Sequence, residues 1–170
     1  MVTKILDSSD GLQSPKGLAV SQTGDLYIAD TEASAIFRYS SGRLSLAVQG
    51  IGRPEEIAID RDETLYVTQE VPPVVFKVKP GEKPAVFADE TTGLGVVESI
   101  ATWHDHVYVG DSIKGLLRFQ RSQPGTPVTL RRTLGPGLEG VAVDEDGTVF
   151  VGIRQGRRSR ISKVTEKTPD

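Results

Sequence analysis

Cysteine is absent from this chain, which excludes disulfide staples, thiolate metal sites and thiol nucleophiles. Histidine is nearly absent: His104 and His106 are the only two. A Ser/His/Asp or Cys/His nucleophile would have to be assembled around that one spot, and no Gly-x-Ser-x-Gly elbow accompanies it. No apolar run approaches the length needed to cross a membrane. The opening stretch MVTKILDSSD lacks the apolar core of a signal peptide. No signal peptide or membrane-spanning segment is therefore expected within this chain, a leader removed ahead of its first residue stays compatible with that reading, and a cytoplasmic location is favoured over others. No window keeps helical periodicity over three turns, so a solenoid of helical repeats is not expected. The net charge of −3 gives no general attraction for nucleic acid or anionic lipid.

What is plentiful is turn chemistry, with 18 glycines and 10 prolines in 170 residues. Apolar content of 37% with 25% charge belongs to a folded globular chain long enough to bury a core. The segments PKGLAVSQTGDLYIAD, PEEIAIDRDETLYVTQ, VESIATWHDHVYVGD and LEGVAVDEDGTVFVG share one pattern. Ala19, Ala58, Ala101 and Ala142 mark its register, 39, 43 and 41 residues apart. A period near forty residues is the signature of supersecondary units that bury their faces by stacking on one another.

In the first copy, Gly17 to Val20 is an apolar run followed by Ser21-Gln22-Thr23-Gly24-Asp25, which suits a hairpin turn. Leu26 to Ala29, Ala35 to Tyr39 and Arg43 to Gln49 supply three more strands, the last with Leu44, Leu46 and Val48 alternating against Arg43, Ser45 and Ala47. Later copies repeat this, with third strands at Val74 to Lys79, Gly115 to Gln120 and Ser159 to Thr165, and fourth strands at Ala85 to Asp89 and Val128 to Thr133. A four-stranded antiparallel meander, apolar on both faces near one edge and half-solvated at the other, is the unit of a β-propeller. The expected fold is all-β: a single domain over 1–170 of four such blades, about 41 residues each, at 14–51, 52–94, 95–136 and 137–165. The fourth copy has no outer strand of its own. Residues 2–8 precede the first copy where a fourth strand would lie, so this N-terminal strand is expected to complete the last blade. The same pattern fits half of a larger ring formed by self-association into a homodimer, or part of a longer propeller.

PKGLAVSQTGDLYIADT and LEGVAVDEDGTVFVG resemble NHL repeats and the related gluconolactonase/strictosidine synthase type of propeller, and the resemblance covers nearly the whole chain. It implies the architecture more than any one activity, because such repeats serve lactonases, a lyase, sensor domains and RNA-binding proteins alike. Those families usually have six blades, against four copies here.

Lys16, Glu55, Glu98 and Glu139 precede the Gly/small position at the start of each first strand. The first strand of a blade lies innermost, so this column is expected to face the central channel. Resemblance to the lactonases implies metal ligands in this column, here Glu55, Glu98 and Glu139, for Ca²⁺ or another divalent cation. Lys16 stands where an Asn ligand would be expected. Converging carboxylates repel one another, and a hard cation with oxygen ligands relieves that repulsion. A metal held there could polarise a lactone or ester carbonyl. The alternative is that Lys16 neutralises part of the column and water solvates the rest.

The remaining candidates read as structural. His104-Asp105-His106 occupies a hairpin turn and lacks the further ligands of a zinc site. Asp144-Glu145-Asp146-Gly147 lacks the spacing and distal Glu of a calcium loop. Asp30 and Asp111 end second strands, where a carboxylate can accept from the following turn. Trp103 is assigned to core or rim packing. Arg154, Arg157, Arg158, Arg160 and Lys163, with Arg131 and Arg132, form a basic patch without interleaved aromatics for base stacking, so nucleic acid is not the expected partner. The function expected is a binding module that presents its loop faces and acidic channel to a protein or small ligand. The alternatives are a metal-dependent lactonase- or esterase-like hydrolase, and RNA binding through the Arg patch.

Overall fold

The computed structural model describes residues 1–123, 125, 127–131 and 137–164. Among these residues, fifteen strands form four antiparallel sheets in chain order. The first contains β1 (Pro15–Val20), β2 (Leu26–Asp30), β3 (Ala35–Ser40) and β4 (Arg43–Gln49). The second contains β5 (Pro54–Ile59), β6 (Leu65–Gln69), β7 (Val74–Val78) and β8 (Ala85–Asp89). The third contains β9 (Val97–Trp103), β10 (His106–Asp111), β11 (Gly115–Gln120) and β12 (Val128–Arg131). The fourth contains β13 (Leu138–Val143), β14 (Val149–Gln155) and β15 (Arg158–Val164). Each sheet is a blade whose strands follow sequence order, as the repeat predicts. Arg132, Thr133 and Thr165, expected at strand ends, lie outside the described residues.

The alanine register mark has a structural meaning. Ala19, Ala58, Ala101 and Ala142 each pair across the first hairpin with an aromatic: Tyr27, Tyr66, Tyr108 and Phe150. In blades 1 to 3 this small-plus-aromatic face packs on the large aliphatic face of the next blade. Ala19, Tyr27, Ala29, Ile36 and Val48 of blade 1 meet Ile57, Leu65, Val67 and Val78 of blade 2. Ala58, Tyr66 and Val75 meet Ile100, Val107, Val109, Leu117 and Phe119 of blade 3. Tyr108 and Leu116 then meet Val149, Val151 and Ile153 of blade 4. Each fully buried aliphatic at such a seam is worth about 1.5–3 kcal/mol, so a blade draws its stability from its neighbours.

Two sequence expectations change here. Leu44, Leu46 and Val48 do not share a face. A bulge opposite Ile36 and Phe37 pairs Val48 with Ile36 and Leu46 with Phe37, placing Val48 in the seam and leaving Leu46 exposed. A bulge inserts one unpaired residue, here Ala47, and reverses the alternation. Nor do residues 2–8 complete the last blade within one chain. Among the described residues, 1–7 pair with no strand, and Ser8–Asp10 is a 3₁₀ turn. The innermost strands pack β1 on β5, β5 on β9 and β9 on β13, and among the described residues no comparable packing joins β13 to β1. Among the described residues the four blades thus form an open arc, and residues 1–7 are not paired with β15.

Gly17 sets the spacing of the first seam. A Cβ there would stand 2.7 Å from the carbonyl oxygen and Cα of Glu55 and Glu56 respectively, and 2.9 Å from the nitrogen of Ile57. All three obstacles are backbone and cannot rotate away. Gly17→Val is expected to cost about 1–3 kcal/mol by overpacking, read as a lower urea midpoint with an unchanged slope. An unchanged midpoint would contradict this close approach.

Candidate functional site

The four first strands begin on one face of the arc, where the second strands end. Lys16, Glu55, Glu98 and Glu139 start β1, β5, β9 and β13 there. The column is not one acidic cluster. The Lys16 ammonium pairs with the Glu55 carboxylate across the first seam. Glu139 accepts from Arg154 within blade 4, at 2.9 Å from Nη2 and 3.0 Å from Nε. Among the described residues, no three His, Cys, Asp or Glu side chains gather as a group able to hold a metal ion.

Glu98 is left between these two pairs. Partial burial pushes its carboxyl up from the usual 4.5; a hydrogen bond with Ser112 opposes this, and the negative charges of Glu139, Glu70 and Asp111 reinforce it. Glu98, Ser112, Glu139, Arg154 and Gln155 line a cleft of about 760 Å³, with Gly137 and Gly156 at its edge. The wall therefore carries two carboxylates, one hydroxyl, one amide and a guanidinium that is already engaged.

Sequence reasoning passed over Glu56. It occupies the small position of the repeat, equivalent to Gly17, Ser99 and Gly140, and that break in the pattern was its signal. Burial raises its carboxyl above the ordinary 4.5, neighbouring Glu55 adds to the shift and Lys16 opposes it. Also missed was Arg121, which follows β11 and ties blade 3 to blade 2. Its Nη1 lies 3.1 Å from Asp60 Oδ2 and its Nη2 2.5 Å from Asp62 Oδ2. Burial works against the charge on Arg121, yet Asp62 and Asp60 hold its pKa above the ordinary value. An isolated Arg after a strand carries no sequence signal of a partner 59 residues away.

The residues assigned to turns and packing are placed accordingly. Asp30 is fully buried and accepts from the backbone N–H of Gln13 and Ser14 at 2.8 Å and of Ala33 at 3.2 Å. Asp111 does the same for Gly95, Val96, Ile113 and Lys114. These carboxylates thus clamp the following turn and also the segment leading into the blade. Asp144 accepts from Asp146 and Thr148 in its hairpin, a local turn bond that needs no calcium. His104 stands edge-on to Trp103 at 4.2 Å, His106 begins β10, and Trp103 Nε1 donates to the Glu145 carbonyl across the last seam. Of the basic patch, Arg154 is held by Glu139, while Arg157, Arg158, Arg160 and Lys163 are exposed along the β14–β15 hairpin. Arg132 and the Arg131 side chain lie outside the described residues. No helix among the described residues is long and apolar enough to cross a membrane.

Residues 12–39 match the NHL repeat. No curated protein sequence matches the chain significantly. Among solved structures it is similar to one from a nidogen/laminin complex, with TM-score 0.75, 22% identity, and coverage of 87% of this chain and 60% of that one. It is also similar to a gluconolactonase from Xanthomonas campestris (TM-score 0.70, 17% identity, 86% and 58% coverage). A third similar structure is virginiamycin B lyase from Staphylococcus aureus (TM-score 0.66, 14% identity, 90% and 56% coverage). The chain spans 56–60% of the length of these structures. The fold is that of NHL- and gluconolactonase-type propellers, and these likenesses carry the fold alone.

An acid whose folded pKa lies above its unfolded value contributes stability below the unfolded value, and loses it as pH rises through the raised one. Glu56→Gln is therefore expected to melt above the wild type at pH 7 and to converge with it below pH 4.5. An equal difference at both pH values would contradict burial of this carboxyl.

Proposed function

We propose that this chain is a binding module of the NHL propeller type, whose partner places a cationic group in the cleft between blades 3 and 4. The observation that carries this reading is Glu98. Its neighbours in the column are neutralised by Lys16 and Arg154, whereas Glu98 faces further negative charge from Glu139, Glu70 and Asp111. A lysine or arginine side chain of a protein, or the ammonium of a small ligand, would relieve that repulsion and replace the water lost on docking. The nidogen/laminin structure supports a protein partner in general terms. The fold's occurrence in a gluconolactonase keeps a hydrolase as the second reading. For that reading, Glu55 and Glu139 would have to exchange their present cationic partners for a metal ion.

Calorimetric titration with a lysine-rich peptide tests the proposal. Affinity is expected to rise with pH above 4.5 as Glu98 ionises and to fall about tenfold in Glu98→Gln, a change of about 1.4 kcal/mol. A neutral peptide of equal length is expected not to bind. Unchanged affinity in both Glu98→Gln and Glu139→Gln would overturn the assignment. Calcium-dependent stabilisation that disappears in Glu98→Gln would favour the metal-dependent reading instead.

A further inference from the structure

The arc has two end faces, and each matches what the interior seams already join. Blade 4 turns Ala142, Phe150, Gly140 and Ile161 outward, in the registers held in blade 1 by Ala19, Tyr27, Gly17 and Ile36. Blade 1 turns Leu18, Val20, Leu26 and Phe37 outward, in the registers held in blade 2 by Ile57, Ile59, Leu65 and Phe76. Leu18 is 59%, Val20 64% and Ile161 76% exposed. Gly140 is the sharpest comparison. At Gly17 a Cβ would run into the next blade's backbone, whereas at Gly140 it would meet nothing within 4 Å. The small residue that close approach demands is present where nothing yet approaches.

The N-terminal segment repeats the same logic. Asp7 caps the 3₁₀ turn Ser8–Asp10 through a capping box that ends at left-handed Gly11, φ 100°. Asp89, the last residue of β8, caps Glu90–Thr92 in the same way, ending at Gly93, φ 104°. Thr3-Lys4-Ile5-Leu6-Asp7 therefore holds the repeat position at which Ala85-Val86-Phe87-Ala88-Asp89 forms the outer strand of a blade, yet among the described residues it pairs with no strand. Among the described residues, the outer edge of β15 also has no strand beside it.

We propose that two copies of this chain close one eight-bladed ring, each blade 1 seated on the other's blade 4 and residues 3–7 of each copy forming the outer strand against the other's β15. Transferring the pairings of β8 with β7 puts Leu6 opposite Ile161 and Asp7 opposite Arg160. The first pair covers an exposed isoleucine, and the second sets a carboxylate beside a guanidinium. At the inner end, Glu139 meets the Lys16 position of the second copy, reproducing the Lys16–Glu55 pair with its signs reversed. Eight blades lie within the range that closes, and closure removes the open edges.

The absence of cysteine makes the test clean. In the variant carrying Leu6→Cys and Ile161→Cys, directly opposed strand residues lie within disulfide reach. Mild oxidation is expected to give a two-chain species on a denaturing gel. A bond within a single chain, or no bond, would overturn the exchanged strand. Sedimentation equilibrium of the unmodified chain is expected to give twice the 18.3 kDa chain mass, and a single-chain mass would overturn the ring. Gly140→Val, which adds atoms only to open space in one chain, is expected to weaken association at least tenfold while keeping the wild-type circular dichroism. Association as tight as wild type in that variant would overturn the face-to-face contact.

Discussion

Every blade depends on face-to-face packing between unlike surfaces, one built from alanine and an aromatic ring, the other from branched aliphatics. A four-stranded meander has two apolar faces and too little chain to cover either. Stability therefore resides in the seams, and at the first of them a glycine at the start of the inner strand lets one backbone approach the next. Gly17 shows how little room there is, since even a methyl group would meet main-chain atoms. Inter-blade polar contacts follow from this spacing. Thr31 and Thr102 each donate to a carbonyl of the neighbouring blade, at Pro54 and Ile59, and Arg121 reaches two carboxylates of blade 2.

The chemistry of the candidate site is a by-product of the same stacking. Bringing the starts of inner strands together concentrates one sequence column on one face, so charges distant in sequence become neighbours. Because that column is Lys, Glu, Glu, Glu, pairing within it is unequal. Lys16 takes Glu55, Arg154 takes Glu139, and Glu98 is left among acids. Glu98 is thus the carboxylate on which the proposed binding of a cationic group rests, and the surrounding fold is compatible with either binding or catalysis.

The blade pattern was legible in the sequence because strand alternation, turn residues and a forty-residue period all point the same way. Turn roles for Asp144, Asp30 and Asp111 were legible because Asp accepts locally from the backbone. The lost alternation at Leu46 and Val48 was not, since a bulge depends on pairing with Ile36 and Phe37 and leaves no mark in the strand itself. Arg121 needed the third dimension. Glu56 was readable in principle as a charged residue at a small position. Residues 3–7 take the repeat position of an outer strand, but repeat position alone could not show that they lie beside no strand of their own chain.

Amide hydrogen exchange at high and low protein concentration tests the dependence of each blade on its neighbour most directly. If the end blades are covered only by a second copy, the amides of residues 3–7 and of β15 are protected at high concentration and lose protection together on dilution. Exchange of residues 3–7 at the unprotected rate at every concentration would contradict it, and would leave the arc stable with both end faces bare.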